Sequence, residues 1–338
     1  MKKIIALALC LVTVLCLAAC SQTTETTTAA TQAEETIAAE TTATEAPTHV
    51  TIKSYNGSKE LIDVEIPYDP QRIAILDMAA LDIIDALGLG DRVVGSATTS
   101  IEYIAKYSPT EENGIANLGT IKAADLLEVA ACEPDVIFIG GRLAESYDDL
   151  AEIAPVVYLS VDSEKGVLES VGENAKTIAS LFGKEEEIDS MMSEFGGRIE
   201  AIKNSFGGKD TVVGIYSGSS MSVLGNDGRC SIIGREMGFN NIGVDAEKLT
   251  STHGNESSWE TIVELDPEYM FILDRNTAIN SSEGTACKET VENDLIKELD
   301  VYKEGKIVYL ANPAVWYTAE GGIQALDIMI QDVESIME

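Results

Sequence analysis

The sequence predicts an α/β protein of two similar lobes built on largely parallel sheets. Three observations lead there. Short β-rich runs alternate with helical patterns from residue 66, the alternation restarts after Gly208, and one helix-strand unit occurs twice. The copies are Pro134-Asp135-Val136-Ile137-Phe138-Ile139-Gly140-Gly141-Arg142 and Pro267-Glu268-Tyr269-Met270-Phe271-Ile272-Leu273-Asp274-Arg275. Each runs proline, acid, a strand containing Phe-Ile, and arginine eight residues after the proline, behind a helical stretch. A length of 338 residues also suits two lobes better than one core.

The chain opens on a processing signal. Lys2 and Lys3 precede sixteen uncharged, mostly apolar residues, Ile4 to Ala19. Such a run makes a signal-peptide core and falls short of the roughly 18–20 residues that span a bilayer. It ends in Leu17-Ala18-Ala19-Cys20, which resembles the bacterial lipobox. That resemblance implies cleavage after residues 1–19 and a diacylglycerol on Cys20, with an ordinary cleaved signal as the competing reading. Residues 21–48 hold eleven Thr, seven Ala, five Glu and no Lys or Arg, too little apolar surface to offset chain entropy. Residues 20–48 are therefore expected to be a lipidated cysteine and a disordered tether with a typical reach of about 30 Å.

The folded part follows in order. Arg72–Leu76 reads as a strand, Ala79–Leu87 as a helix closed by Gly88, and Val93–Gly95 as a second strand. Ala123–Cys132 reads as a helix, and Val136–Ile139 and Val156–Leu159 as strands. Val167–Phe182 and Lys184–Phe206 are helices stopped by glycines. In the second, Ile188, Met191, Met192, Phe195, Ile199, Ile202 and Phe206 recur at spacings of three and four, one apolar stripe on a long helix. Placed between two α/β halves, it reads as the connection between lobes or as one arm of a helical hairpin. Thr211–Tyr216, Tyr269–Leu273 and Ile307–Leu310 are strands of the second half. The expected lobes are residues 49–183 and 207–338, joined by a helix over 184–206.

Charge and cysteine content exclude several functions. The formal net charge is −34, of which −31 falls on residues 49–338, so the basic footprint that nucleic-acid binding needs is missing. Cys132, Cys230 and Cys287 remain beyond Cys20, an odd count with no CxxC that allows at most one bridge. Cys132, in an apolar stretch, reads as core. Gly88-Leu89-Gly90 follows a helix and lacks the third glycine of a dinucleotide fingerprint, and no Walker A loop occurs. Gly218-Ser219-Ser220-Met221-Ser222 is no nucleophile elbow, and two histidines cannot supply a hydrolytic zinc site. These absences favour a binding protein over an enzyme.

Among polar residues, Arg142 and Arg275 stand at the carboxyl ends of the repeated strands, where open α/β sheets bind ligands. Two facing lobes would aim both guanidiniums into one cleft, where each can grip an anion bidentately. A salt bridge to one of the many acids is the competing reading for each. His253 lies in a polar turn, Thr252-His253-Gly254-Asn255-Glu256. Trp316-Tyr317 reads as an aromatic pair on a loop where core packing does not require it.

Several segments share an order and spacing with a known family. They are Pro70-Gln71-Arg72 through Gly95, Glu133 through Pro155, Gly228-Arg229 through Gly238, Thr252-His253-Gly254, Asp274-Arg275-Asn276, and Trp316-Tyr317 with its following glycines. Together they resemble the substrate-binding lipoproteins of ABC importers for ferric siderophores, of the enterochelin- and petrobactin-type catecholate binders. The resemblance covers essentially all of residues 66–338. It implies the class III periplasmic-binding fold, two α/β lobes joined by a single long helix with the ligand cleft between them. It further implies an arginine triad, Arg142, Arg229 and Arg275, around an anionic ferric catecholate. His253 and Tyr317 would complete the iron shell of a tetradentate siderophore, since Fe(III) is hard and accepts phenolate and imidazole. In the family, small and aromatic residues more often flank the aromatic pair, whereas Glu320 here is an extra acid. Permease docking in this superfamily uses one surface acid per lobe. Seven residues before the repeated proline stands Glu260 in the second lobe but Leu127 in the first, so either Asp125 or Glu128 takes that role or docking on the first lobe differs.

The function so implied is a monomeric, lipid-anchored receptor on the extracytoplasmic face of the cell membrane. It has no cofactor of its own, captures ferric catecholate siderophores, and delivers them to an ABC importer permease and its ATPase. The runner-up is a haem or corrinoid receptor, with His253 and Tyr317 as axial ligands, against which three cleft arginines exceed what two propionates require. An exported α/β enzyme lacks a catalytic constellation.

Overall fold

The computed structural model describes residues 47–243, 255, 256, 258–280 and 286–337. Cys20 and His253 lie outside the described residues. The first element is a hairpin ahead of the strand-helix alternation, in which β1 (His49–Tyr55) pairs antiparallel with β2 (Leu61–Pro67).

The first lobe follows as β3 (Ile73–Leu76), α1 (Met78–Ala86), β4 (Val93–Ser96) and β5 (Ala116–Asn117). A short antiparallel pair, β6 (Gly119–Thr120) and β7 (Ala123–Ala124), leads into α2 (Leu126–Ala131), β8 (Val136–Ile139), α3 (Tyr147–Ala151) and β9 (Val156–Tyr158). Five of these strands form a parallel sheet in the order β5-β4-β3-β8-β9. Every residue of β3, β8 and β9 is buried, which is why they read as unbroken apolar runs: a parallel sheet is covered on both faces. Helix α2 is shorter than the 123–132 expected. The Asp125 carboxylate accepts from the N–H groups of Leu127 and Glu128 at 3.1 and 3.2 Å, so the helix starts only after that cap.

Next come α4 (Val167–Ser180) and α5 (Glu185–Phe206), the latter about 33 Å long at 1.5 Å per residue. Glu185, Glu186 and Glu187 occupy the first turn of α5, where the helix dipole favours negative charge. Ile188, Phe195, Ile199 and Ile202 form its buried stripe. This helix packs along α4 and leads from β9 of the first sheet to the first strand of the second.

That second lobe contains β10 (Asp210–Ser217), β11 (Ser220–Val223), α6 (Ser231–Arg235), β12 (Asn240–Asn241), β13 (Asn255–Glu256) and α7 (Trp259–Leu265). It continues through β14 (Tyr269–Asp274), α8 (Arg275–Ala278), α9 (Cys287–Val291), α10 (Asp300–Lys303) and β15 (Ile307–Tyr309). The sheet order is β13-β11-β10-β14-β15, with β12 beside β10. β10, β14 and β15 run parallel, while β11 folds back antiparallel. Alternation along β10 sends Val213 and Ile215 into the main core and Val212 and Tyr216 into a second core under α7 and α9.

The chain ends on α11 (Pro313–Thr318) and α12 (Ile323–Glu334). Two expectations change here. Trp316-Tyr317 lies on a helix, not a loop, and Trp316 is fully buried, with its indole N–H donating to Asp332 at 2.8 Å. The span 207–338 is also not all second lobe, because α12 packs on α1, α4 and α5. Buried Asp82 of α1 holds it there, accepting from the N–H groups of Gln324 and Ala325 at 2.8 Å each and from the Tyr103 hydroxyl. No side chain of its own caps α12, so Asp82 satisfies donors that the helix start leaves open. Arg198 of α5 adds a forked pair to Glu334 at 2.9 and 2.7 Å. Among the described residues no helix is long and apolar enough to cross a membrane.

Candidate functional site

The repeated unit places its two arginines at strand ends. β8 runs out into Gly140-Gly141-Arg142, and β14 runs directly into Arg275 at the start of α8. Gly140 is required by contact, since a Cβ there would sit 2.5 Å from an Asp77 carboxylate oxygen. Asp77 in turn caps α1 through the Ala80 N–H at 3.0 Å. Burial raises its carboxyl above the ordinary value, against the pull of that N–H and of the Arg142 charge.

Arg229 reaches the same place from the loop before α6. The next residue, Cys230, has a left-handed backbone (φ 61°), costly for a side chain other than glycine, and its N–H donates to Glu320 at 2.8 Å. The Arg229 guanidinium carbon stands 4.2 Å from the centre of the Tyr317 ring, and Nη2 donates to the Tyr317 carbonyl at 3.2 Å. Its Nε and Nη1 are buried with no hydrogen-bond partner among the described residues. Arg275 donates from Nε to the Tyr317 hydroxyl at 2.9 Å and from Nη1 to the Ser217 hydroxyl at 3.1 Å.

Tyr317 is the meeting point. Burial pushes its phenol up, but the hydrogen bond from Arg275 and the charges of Arg229, Arg275 and Arg142 together outweigh it. The phenol lies below its ordinary value. Glu320, in the turn just beyond α11, behaves oppositely. Burial pushes its carboxyl up to about 7, against Arg229 and the Cys230 N–H, with Glu236 adding to the rise.

These residues border a cleft of two adjoining chambers, of about 190 and 590 Å³. Both are lined by Arg142, Arg229 and Glu320, whereas Tyr317 borders the smaller chamber alone. Arg275 lines neither and acts through Tyr317. Of the residues singled out in the sequence, four therefore converge: Arg142, Arg229, Arg275 and Tyr317. Asp125, Glu128 and Glu260 lie elsewhere, exposed at the starts of α2 and α7. Sequence reasoning missed Asp77 and Ser217. Their signals were faint: a helix cap after β3, and a strand-end serine opposite the repeated arginine.

The arrangement can hold an anion, through buried guanidinium donors without partners, and can offer a phenolate to a hard metal carried by that anion. The periplasmic binding protein family matches residues 73–314. The petrobactin-binding protein YclQ of Bacillus subtilis is 32% identical over 291 residues, covering 84% of this chain and 86% of that protein. The chain belongs to this family. Its crystal-structure relatives include YclQ, with a TM-score of 0.77 at 30% identity over 86% of this chain and 99% of that one. They also include the catecholate-siderophore binding protein VctP of Vibrio cholerae, with a TM-score of 0.74 at 26% identity over 85% of this chain and 100% of that one. The class III fold expected from the sequence is thus the fold found, and the chain is a substrate-binding protein, not an enzyme.

Proposed function

We propose that this protein is the extracytoplasmic receptor for an anionic ferric siderophore of the catecholate type and hands it to the permease of an ABC importer. The observation that carries the reading is Arg229, whose Nε and Nη1 are buried without a hydrogen-bond partner among the described residues, beside a tyrosine of lowered pKa. Orphaned guanidinium donors are costly to bury, and an arriving catecholate oxygen would satisfy them. Petrobactin in the name of YclQ and catecholate siderophores in that of VctP support the same ligand class.

In this reading Arg142 and Arg229 donate to the chelate from the two lobes, and Arg275 holds the Tyr317 phenol ready to lose its proton. Tyr317 then supplies oxygen, and His253 imidazole, to the iron of a siderophore that leaves two positions open. Cys20 carries the lipid that anchors residues 20–48, with 1–19 as the signal peptide. The lobes are residues 49–183 and 207–338, joined through 184–206, with α12 of the second span packed back on the first lobe, in a monomer. Permease docking uses Glu260 on one lobe and Asp125 or Glu128 on the other. Asp125 is already committed to capping α2, which favours Glu128.

Replacing each arginine by alanine tests the site. Binding of ferric petrobactin, followed by quenching of protein fluorescence, should weaken by about 1–3 kcal/mol per arginine, most for Arg229 and least for exposed Arg142. Unchanged affinity in all three variants would remove the assignment.

A further inference from the structure

The larger chamber has a wall that the arginine triad does not explain. Lys59 lines it, carried there by the tip of the N-terminal hairpin. The hairpin is pinned to the cleft at several points. The Ser54 hydroxyl accepts from the Tyr158 N–H at 2.8 Å, and the Tyr55 and Tyr158 rings lie 5.5 Å apart. At the tip, a Cβ on Gly57 would come within 2.9 Å of the Ala144 carbonyl and 3.2 Å of the Tyr147 Cβ. Only glycine lets the turn press so closely on the segment that follows Arg142.

The turn itself is closed tightly. Asn56 accepts on its side-chain oxygen from the N–H groups of Ser58 and Glu60, both at 2.9 Å, and on its carbonyl from Lys59 N–H at 2.9 Å. This leaves Lys59 with a left-handed backbone (φ 60°), a position that Gly or Asn would fill at lower cost. Its side chain is exposed, and no partner for it is found among the described residues. In a folded part that carries −31, an unpaired lysine held in a strained turn over the cleft adds local positive potential. The chamber then holds Lys59, Arg142 and Arg229 against Asp227 and Glu320. Tyr317 is not among its walls and Lys59 lines this chamber alone, so Lys59 faces a part of the ligand away from the iron.

We infer that Lys59 is a fourth cationic contact, which selects ferric catecholates bearing a carboxylate on the backbone that links their catechols. The inference rests on the siderophore reading above and adds to it a site for charge outside the metal core. The hairpin, in this role, is a specificity element and not only packing.

Two synthetic chelates of equal denticity separate the possibilities. Iron(III) bis(dihydroxybenzoyl)lysine carries a linker carboxylate, and iron(III) bis(dihydroxybenzoyl)cadaverine lacks it. The wild type should bind the lysine-linked chelate about three- to fivefold more tightly, the scale of a partly exposed charge pair. Lys59→Asn tolerates the left-handed backbone and should abolish that preference, leaving the cadaverine chelate within about twofold of wild type. Lys59→Arg should keep the preference. A wild type that binds both chelates alike, or equal losses for both in Lys59→Asn, overturns the role of Lys59 while leaving the siderophore reading standing. Binding of neither chelate by the wild type overturns both.

Discussion

Tyr317 near the end of α11 and Glu320 in the turn after it show how the same burial is resolved in opposite directions. Around Tyr317 the hydrogen bond from Arg275 and three guanidinium charges outweigh desolvation, and the phenol lies below its ordinary value; around Glu320 one guanidinium and the Cys230 N–H do not, and the carboxyl titrates near neutrality. An anionic chelate arriving beside Glu320 must raise that pKa further, so capture should take up a proton there. Its neutral form repels the ligand less, and wild-type affinity should gain on Glu320→Gln as the pH falls through about 7. At about pH 8 Glu320→Gln should bind ferric petrobactin at least about fivefold more tightly than wild type, and below about pH 6 the two should converge. Fluorescence titrations across that range measure the ratio; a ratio independent of pH would place the titrating group elsewhere. At this scale the strand-end arginines Arg142 and Arg275 were legible because a repeated local pattern announces them. Arg229 was not legible from the residues alone: its loop has no periodicity, and its orphaned donors exist only once Tyr317 covers them.

Helices in this molecule borrow their caps from distant segments. The N-terminus of α12 is capped by Asp82, and that of α4 by Glu236 of the other lobe, which accepts from Val167 N–H at 2.6 Å and Leu168 N–H at 3.3 Å. Arg235 Nη2 reinforces the second contact by donating to the Glu164 carbonyl at 2.7 Å. The Glu236 bond joins the lobes at the rim of the larger chamber, beside Gly166. Asp82→Ala would strand two backbone donors and the Tyr103 hydroxyl, at a cost of about 3 kcal/mol. Thermal unfolding followed by circular dichroism should show a midpoint about 6 °C lower, and Asp82→Asn, which keeps an acceptor, should lose less than half of that. Equal losses would mean that the charge, not the cap, holds α12. A cap taken from 242 residues away leaves no local mark, so α12 could not be assigned to its place before its partner was seen.

On the scale of the whole chain, a strongly acidic receptor concentrates its few useful cations at one cleft. Arg142, Arg229, Arg275 and Lys59 come from four segments, and the surrounding negative charge keeps other surfaces unattractive to anions. In the proposed anchoring, the lipid on Cys20 retains the receptor at the membrane without touching the ligand site. Cys20→Ala should abolish incorporation of labelled palmitate, while the isolated protein binds ferric petrobactin within about twofold of wild type. Label retained by the variant would reject Cys20 as the lipidation site.

By itself the sequence determined the class of the fold and where its main elements lie. β8 falls where the pattern puts it, and α5 within a residue, because buried strands and amphipathic helices write their burial into apolar runs and three-four spacing. The hairpin β1–β2 was less visible, since half of its residues face water and its partner strand decides which half. Tertiary structure alone decided the strand orders, the return of α12 to the first lobe, the burial of Trp316, and the convergence of Arg229, Arg275 and Tyr317. Each of these depends on contacts between segments far apart in the chain. Periodicity reports how deeply a segment is buried, whereas what it is buried against is settled only when the whole chain packs.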